Sequence, residues 1–244
     1  MKTLIIIPSR MSATRLPGKP LLEINGLSII SHVSKKAEEA NIGDVIVATE
    51  DQEIVDDVQK NGFNAILTSN IHKTGTDRIY EALNKSNIKN IEFIMNLQGD
   101  EPAINIEDII DLNKKMIKNN SNLGTLAATL KNSNDLKNEN LVKVITKERL
   151  QKDNFPKAIS FSRNSKKNDN IYHHVGIYCY SKDTLERFVQ MSQSKNEIQN
   201  RLEQLRALDN GIQINVSLAK SSPIGVDTEE DYLALKKIME YNKS

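Results

Sequence analysis

The chain has 244 residues, with 33 Lys plus Arg against 32 Asp plus Glu and a formal net charge of +1. So even a balance gives no general drive toward nucleic acid or an anionic membrane, and the length is enough to bury a sizeable core. The single Cys179 excludes an internal disulfide and a cysteine-based zinc site and points to a reducing compartment. Met1 to Ile7 forms a short apolar run that Pro8, Ser9 and Arg10 cut off below the length of a signal peptide or a membrane span. A soluble, unexported, cytoplasmic protein is expected, with no nucleic-acid partner and no membrane insertion.

In chain order, short apolar runs alternate with helical patterns. Leu4 to Ile7 reads as a buried strand, and Ser28 to Ala40 as a helix with Ile29, Ile30, Val33 and Ala37 at helical spacing. Asp44 to Thr49 is a second strand, Asp51 to Asn61 a helix, and Ala65 to Thr68 a third strand. A helix around Ile79, Ala82 and Leu83 then leads into the strand Ile91 to Leu97. This alternation predicts β-α-β units and a mainly parallel sheet covered by helices on both faces.

The second half is less regular. A helix is expected at Ile106 to Lys118, with strands at Thr125 to Leu130, Val142 to Thr146, Ala158 to Phe161 and Val175 to Tyr180. Ser162 to Asn170 reads as a loop. Helices follow at Thr184 to Gln190 and Ile198 to Leu208, then a strand at Ile212 to Leu218 and a closing helix from Glu229 to about Tyr241. No repeat and no Gly-, Pro- or Ser-rich linker divides the chain, so a single domain over 1–244 is expected, with an irregular part around 120–218.

Composition directs attention to arginine. The chain uses 25 Lys but only 8 Arg, so Arg marks places where a planar fork is worth having. Two of the eight fall in Pro8 to Pro20, directly after the first strand, where Arg10, Arg15 and Lys19 occur with Gly18 and no acid. Forked Arg donors, a Lys point charge and backbone N–H groups suit a triphosphate, although a solvated basic loop has the same composition. The loop is neither a Walker A sequence nor a GxGxxG fingerprint. Ligands of open α/β sheets bind beyond the carboxyl ends of strands, which is where this loop falls.

The loop resembles the PARxxSTRLPGKP signature of the CMP-Kdo synthetases, the 3-deoxy-manno-octulosonate cytidylyltransferases. Further blocks extend the resemblance in order: Val47-Ala-Thr49, Thr74-Gly-Thr-Asp-Arg78, Asn96-Leu-Gln-Gly-Asp-Glu-Pro102, Phe161-Ser-Arg163, His174-Val-Gly-Ile-Tyr178, Leu202 to Leu208 and Gly225-Val-Asp-Thr228. It implies an α/β, Rossmann-like nucleotidyltransferase fold with a mixed, mainly parallel sheet, and a reaction of CTP with Kdo giving CMP-Kdo and pyrophosphate for lipopolysaccharide biosynthesis. It also implies a homodimer built through the irregular second half.

The site residues follow from the same resemblance. Pro8, Arg10, Arg15 and Lys19 would serve the CTP phosphates, with Arg10 and Lys19 also catalytic, and Thr74, Gly75, Thr76 and Arg78 the cytosine side. Arg78 could equally reach the sugar carboxylate. Asp100 and Asp227 would ligate Mg²⁺, the implied cofactor. Read alone, Asp100 is a turn acid before Pro102 and Asp227 belongs to a helix cap with Thr228 to Asp231. Gln98, Arg163, His174, Tyr178, Glu203 and Gln204 would bind the acid sugar, Arg163 through its carboxylate.

The sequence departs from the family pattern at Ala13, where Ser is usual, after Arg163, where Ile-Pro is missing, and at Asn200, where Glu is usual. A related acid sugar, such as 8-amino-Kdo or a nonulosonic acid, stays open. A glycosyltransferase commonly carries Asp-x-Asp, which occurs nowhere here, and a silent nucleotide binder would have lost the charged residues that this chain retains.

Overall fold

The computed structural model describes residues 2–12, 15–132, 134–165 and 169–241. Two compact units make up the chain, residues 1–109 with 223–244 and residues 110–222. Ala13, Thr14 and the 166–168 portion of the expected loop fall outside the described residues.

The first unit opens with β1 (Lys2–Ser9), whose Leu4, Ile5, Ile6 and Ile7 are fully buried. An apolar run of this kind marks a strand enclosed on both faces. A short 3-10 turn (Lys19–Leu21) precedes β2 (Glu23–Ile24) and β3 (Leu27–Ser28). These two strands form a hairpin across Asn25 and Gly26, both at positive φ. Asn-Gly is the favoured pair for such a two-residue turn, so this element was written in the sequence although the strand pattern passes over it.

Next come α1 (Ile29–Glu39), β4 (Gly43–Thr49), α2 (Gln52–Lys60), β5 (Ala65–Leu67), α3 (Gly75–Lys85) and β6 (Ile91–Asn96). Strand order is β6-β1-β4-β5, all parallel, with α1, α2 and α3 packed on the sheet. Connectivity runs outward from β1 to β4 and β5, then returns to the other side of β1 at β6. The strand order therefore reverses between β1 and β6, the position where open α/β sheets form their ligand crevice.

The chain passes into the second unit within α4 (Ile106–Asn119). That unit contains β7 (Leu123–Ala128), α5 (Asn134–Lys137), β8 (Lys143–Thr146), β9 (Ala158–Ser162), β10 (Ile171–Ser181), α6 (Lys182–Gln190), α7 (Lys195–Asn200), α8 (Gln204–Asp209) and β11 (Asn215–Leu218). β11 and β7 pair in parallel; β7 with β10, β10 with β8, and β8 with β9 pair antiparallel. The chain thus has the mixed sheet flanked by helices that was expected, its parallel part concentrated in the first unit.

The strand expected at Thr125 to Leu130 lies two residues earlier, at Leu123–Ala128, and three further boundaries differ from expectation. The strand predicted at Val175 to Tyr180 begins earlier, at Ile171, because its first residues pair with β8. The one predicted from Ile212 is confined to Asn215–Leu218. The helix predicted over Ile198 to Leu208 is two helices, broken where Arg201 turns left-handed at φ 52°. That break buries Leu202 and brings Arg206 back to Glu197 in a two-pronged ion pair at 2.6 and 2.9 Å. Tertiary contacts here outweigh helix continuity.

The last element, α9 (Glu229–Tyr241), returns to the first unit. Val226 and Leu235 join Ile24 and Ile29 in a fully buried cluster, with Leu16, Leu22, Tyr232 and Met239 packed against it. Tyr232 also donates to Glu23 O at 2.7 Å. No helix among the described residues is long and apolar enough to cross a membrane.

Candidate active site

At the switch point of the first unit lies a cavity of about 410 Å³, a size ordinary for a small-molecule site. The ends of parallel strands and the segments that follow them line it: Pro8 and Ser9 at the end of β1 with Arg10 after it, His72 to Thr74 between β5 and α3 with Gly75 at the helix start, and Gln98 to Asp100 after β6. Arg15, Lys19 and Pro20 from the first loop, Arg78 from α3 and Asp227 complete the wall. Five cationic side chains stand there against two carboxylates, a balance that suits a polyanion.

Two close approaches draw these segments together. Gly99 packs so tightly that an added Cβ would lie 2.9 Å from Pro8 O and 3.2 Å from Ile30 Cδ1. Val226 N donates to Asp100 O at 2.9 Å, and Val226 itself is buried in the α9 cluster. That backbone bond carries the next residue, Asp227, to Asp100 from far along the chain.

The two carboxylates meet on one cation. Lys19 Nζ lies 2.7 Å from Asp100 Oδ2 and 3.4 Å from Asp227 Oδ1, and Arg15 contacts Asp227 Oδ2 at 2.9 Å. Gly18, in the left-handed region at φ 73°, starts the turn that presents Lys19. The helix-cap reading of this segment is also met, without Asp227's side chain: Thr228 and Asp231 cap α9 reciprocally, and Asp231 Oδ2 accepts from Asp227 N as well.

Burial, with the charges of Asp100 and Asp227 added, pushes the Glu101 carboxyl up to about 8. Its Oε2 is buried with no hydrogen-bond partner among the described residues. The described residues hold no group of three or more His, Cys, Asp or Glu arranged for a metal. Two hard oxygen donors converging on an ammonium, with an acid behind them, fit a Mg²⁺ that draws its other ligands from phosphate and water.

On the α3 side, Thr74 caps the helix reciprocally with Asp77: its hydroxyl accepts from Asp77 N at 3.2 Å and donates to Asp77 Oδ2 at 2.9 Å. Thr74 and Gly75 line the cavity, whereas Thr76 is buried and is not among the lining residues. Arg78 reaches the cavity wall with its fork already engaged: it ion-pairs with Glu50 and donates to Thr68 Oγ1 at 2.5 Å and to Ser69 O at 3.4 Å.

Sequence reasoning passed over four contributors to this region. His72 lines the cavity and is gripped by Glu81. Glu81 also accepts from Ser69 N through both oxygens, at 3.0 and 3.1 Å, and pairs with Lys85 at 2.6 Å. Burial raises the Glu81 carboxyl's affinity for a proton, but the bonds from Lys85, His72 and Ser69 outweigh it and hold the pKa at about 2. Lys73 lines the cavity, and Glu50 orients Arg78. The only sequence signal for Glu50, His72 and Lys73 was their place in segments that follow strands, and Glu81, inside α3, gave none.

Gln98 stands with the cavity of the first unit; the other expected sugar residues lie in the second. His174 is buried, edge-on to Phe161 at 5.0 Å and 5.5 Å from the Tyr178 ring, across an irregularity in the β10 ladder between Val175 and Tyr178. Thr125 Oγ1 donates to Ile177 O at 2.7 Å and meets His174 Nε2 at 3.0 Å, which assigns the hydrogen of that contact to Nε2. Burial, aided by His173, pushes the His174 pKa down to about 3, so the ring is neutral. Burial, then Tyr180 and Glu203, raises the Tyr178 hydroxyl well above its ordinary value.

Glu203 lies 3.7 Å from Arg206, whose guanidinium sits 4.6 Å over the Phe188 ring. Gln204 beside it is buried. Arg163 donates to Glu139 O at 3.2 Å, and its own carbonyl accepts from the buried Lys143 at 2.6 Å. The structure thus gathers His174, Tyr178 and Glu203 and gives Arg163 a different set of neighbours.

A model of the cytidylyltransferase family matches residues 4–214. The 3-deoxy-manno-octulosonate cytidylyltransferase of Nitrobacter hamburgensis is 41% identical over 243 residues, covering 98% of this chain and 93% of its own. That of Mesorhizobium japonicum is 39% identical over 247 residues, covering 98% and 99%. A solved structure of CMP:2-keto-3-deoxy-manno-octonic acid synthetase complexed with CTP aligns with a TM-score of 0.91 at 34% identity, covering 99% of this chain and 100% of that one.

Proposed function

The chain belongs to the cytidylyltransferase family, among the 3-deoxy-manno-octulosonate cytidylyltransferases, and is a nucleotidyltransferase; from that premise we propose that it couples CTP with Kdo to give CMP-Kdo and pyrophosphate. One observation carries the reading: Arg10, Arg15 and Lys19 face Asp100 and Asp227 in the crevice where the strand order reverses. The product would serve lipopolysaccharide biosynthesis in the cytoplasm.

In the reaction the anomeric hydroxyl of the acid sugar forms a bond to the α-phosphorus, the bond from that phosphorus to the bridging oxygen breaks, pyrophosphate leaves and the hydroxyl proton passes to solvent. Positioning and charge neutralisation are the main demands of such a transfer. Arg10 and Arg15 grip the phosphate oxygens with forked donors, and Lys19 supplies a point charge. Pro8, Thr74 and Gly75 shape the base end. Thr76 and Arg78 act on the nucleotide from behind, since Arg78 anchors the first turn of α3 to Glu50 and Thr68.

Asp100 and Asp227 would hold Mg²⁺, which when bound neutralises phosphate charge and polarises the reacting phosphoryl oxygens. Gln98, Arg163, His174, Tyr178, Glu203 and Gln204 are assigned to the acid sugar, Arg163 to its carboxylate. His174 and Tyr178 serve as neutral hydrogen-bonding groups. A twofold homodimer through the second unit is supported by β9, whose only partner among the described strands is β8 and whose Ile159 is 58% exposed.

Pyrophosphate release with Mg²⁺ tests the reading when CTP and UTP are each paired with Kdo, 8-amino-Kdo and N-acetylneuraminate. Turnover restricted to CTP with Kdo is expected. Turnover with another acid sugar alone would move the substrate, and release with no CTP-dependent combination would overturn the reading.

A further inference from the structure

Asp51 occupies the N-cap of α2, a position where an aspartate ordinarily bonds the free N–H groups of its own helix. Here its side chain makes no hydrogen bond to α2. The carboxylate instead accepts from Met11 N at 2.7 Å, across 40 positions of sequence. That length is characteristic of a charge-assisted bond. The helix keeps its backbone start, with Ile54 N and Val55 N donating to Asp51 O at 3.2 and 3.3 Å.

Met11 is a sensitive point to hold. Its carbonyl accepts from Gly18 N at 3.2 Å, so one peptide neighbourhood both closes the loop of residues 11–18 and ties it to the β4–α2 turn. Arg10 and Lys19 stand immediately outside the two ends of this clasp, and Arg15 stands within it. Asp51 is itself held, since its N–H donates to the hydroxyl of the fully buried Thr49 at 3.1 Å. Asp51 is not among the residues lining the cavity.

We propose that Asp51 is a positioning residue for nucleotide binding, which gives up its capping bond to α2 in order to set the register of the cationic first loop through Met11. The proposal rests on the cytidylyltransferase reading above and adds to it a residue outside the cavity wall. It separates two consequences that a purely structural acid would join: loss of the bond should impair nucleotide binding while leaving helix stability in place.

The experiment compares full-length wild type, Asp51→Ser and Asp51→Asn by calorimetric CTP binding, thermal midpoint, and KM for CTP and for the acid sugar. Serine retains a capping hydroxyl for α2 but is one bond shorter toward Met11, whereas asparagine retains an acceptor of the original length. Expected for Asp51→Ser are CTP affinity and CTP KM weakened about tenfold or more, an unchanged acid-sugar KM and a wild-type thermal midpoint, because misplaced binding groups act on affinity before stability. Asp51→Asn should recover most of the loss.

Wild-type CTP binding by Asp51→Ser, or equal weakening in both variants, would overturn the proposal. Hydrogen exchange in the wild type adds a readout that needs no variant: the Met11 amide should be protected, and unprotected exchange would overturn the proposal too. Failure of the wild type itself to bind CTP would overturn the functional reading, and this inference with it.

Discussion

Lys19 Nζ joins Asp100 and Asp227, at 2.7 and 3.4 Å, across 81 and 208 positions of sequence. This one ammonium gathers a loop after the first strand, a turn after β6 and the segment entering α9. It also balances two carboxylates whose charges already bear on the buried Glu101. The same atoms that hold the crevice together are those assigned to the triphosphate and its cation.

Lys19→Met removes the point charge while keeping an unbranched apolar stem. The expected outcome is a fall of about 10²-fold in kcat/KM for CTP, comparable to losing one preorganised electrostatic donor. Steady-state pyrophosphate release measures it. Unchanged kcat and CTP KM would remove Lys19 from the site.

Asp100→Asn and Asp227→Asn each subtract one hard anionic donor with little change of shape. Each should lower kcat by about 10²-fold or more at saturating CTP and raise the Mg²⁺ concentration for half-maximal rate, with the circular dichroism spectrum retained. Near-normal kcat at saturating Mg²⁺ in either variant would exclude that residue as a metal ligand.

Arg78 has a 5% exposed side chain and pairs with Glu50, which is 19% exposed. Arg78→Ala would leave Glu50 poorly solvated without its partner and should cost about 3–5 kcal/mol of folding free energy. Urea unfolding checks this. Wild-type stability together with lost CTP affinity would instead mark Arg78 as a direct ligand.

Glu81 gives a pH dependence of defined sign. Its folded pKa of about 2 lies below the ordinary 4.5, so its stabilisation is fully present above the ordinary value and is lost as pH falls from 4.5 toward 2. Glu81→Gln should be destabilised near pH 7 and should converge with the wild type near pH 2. Parallel stability curves for the two proteins over that range would contradict this.

The fold was largely legible because the parallel strands carry their burial in their composition: Leu4 to Ile7, a short apolar run, mostly β-branched and ended by Pro8, reads as an enclosed strand. Local chemistry also showed through, as in the Thr228 to Asp231 cap on α9. The break at Arg201 did not, because it depends on Leu202 reaching the core and on Arg206 closing on Glu197. Site residues with unusual composition stood out, and the Arg10, Arg15 and Lys19 loop is the clearest case. Glu50, Asp51 and Glu81 did not, since ordinary surface acids share their composition and only the fold brings them to Arg78, Met11 and His72. Asp227 was found through a motif; its proximity to Asp100 arises from the Val226 backbone bond, which no local pattern encodes.

The central claim is that the crevice transfers a cytidylyl group from CTP to an acid sugar. The most direct measurement is mass-spectrometric identification of the product formed from CTP, Kdo and Mg²⁺, with pyrophosphate quantified in the same reaction. The account predicts CMP-Kdo and pyrophosphate in equal amounts, with neither formed when Kdo is omitted. Pyrophosphate without a sugar-linked CMP, or no product at all from a folded protein that binds CTP, would contradict it.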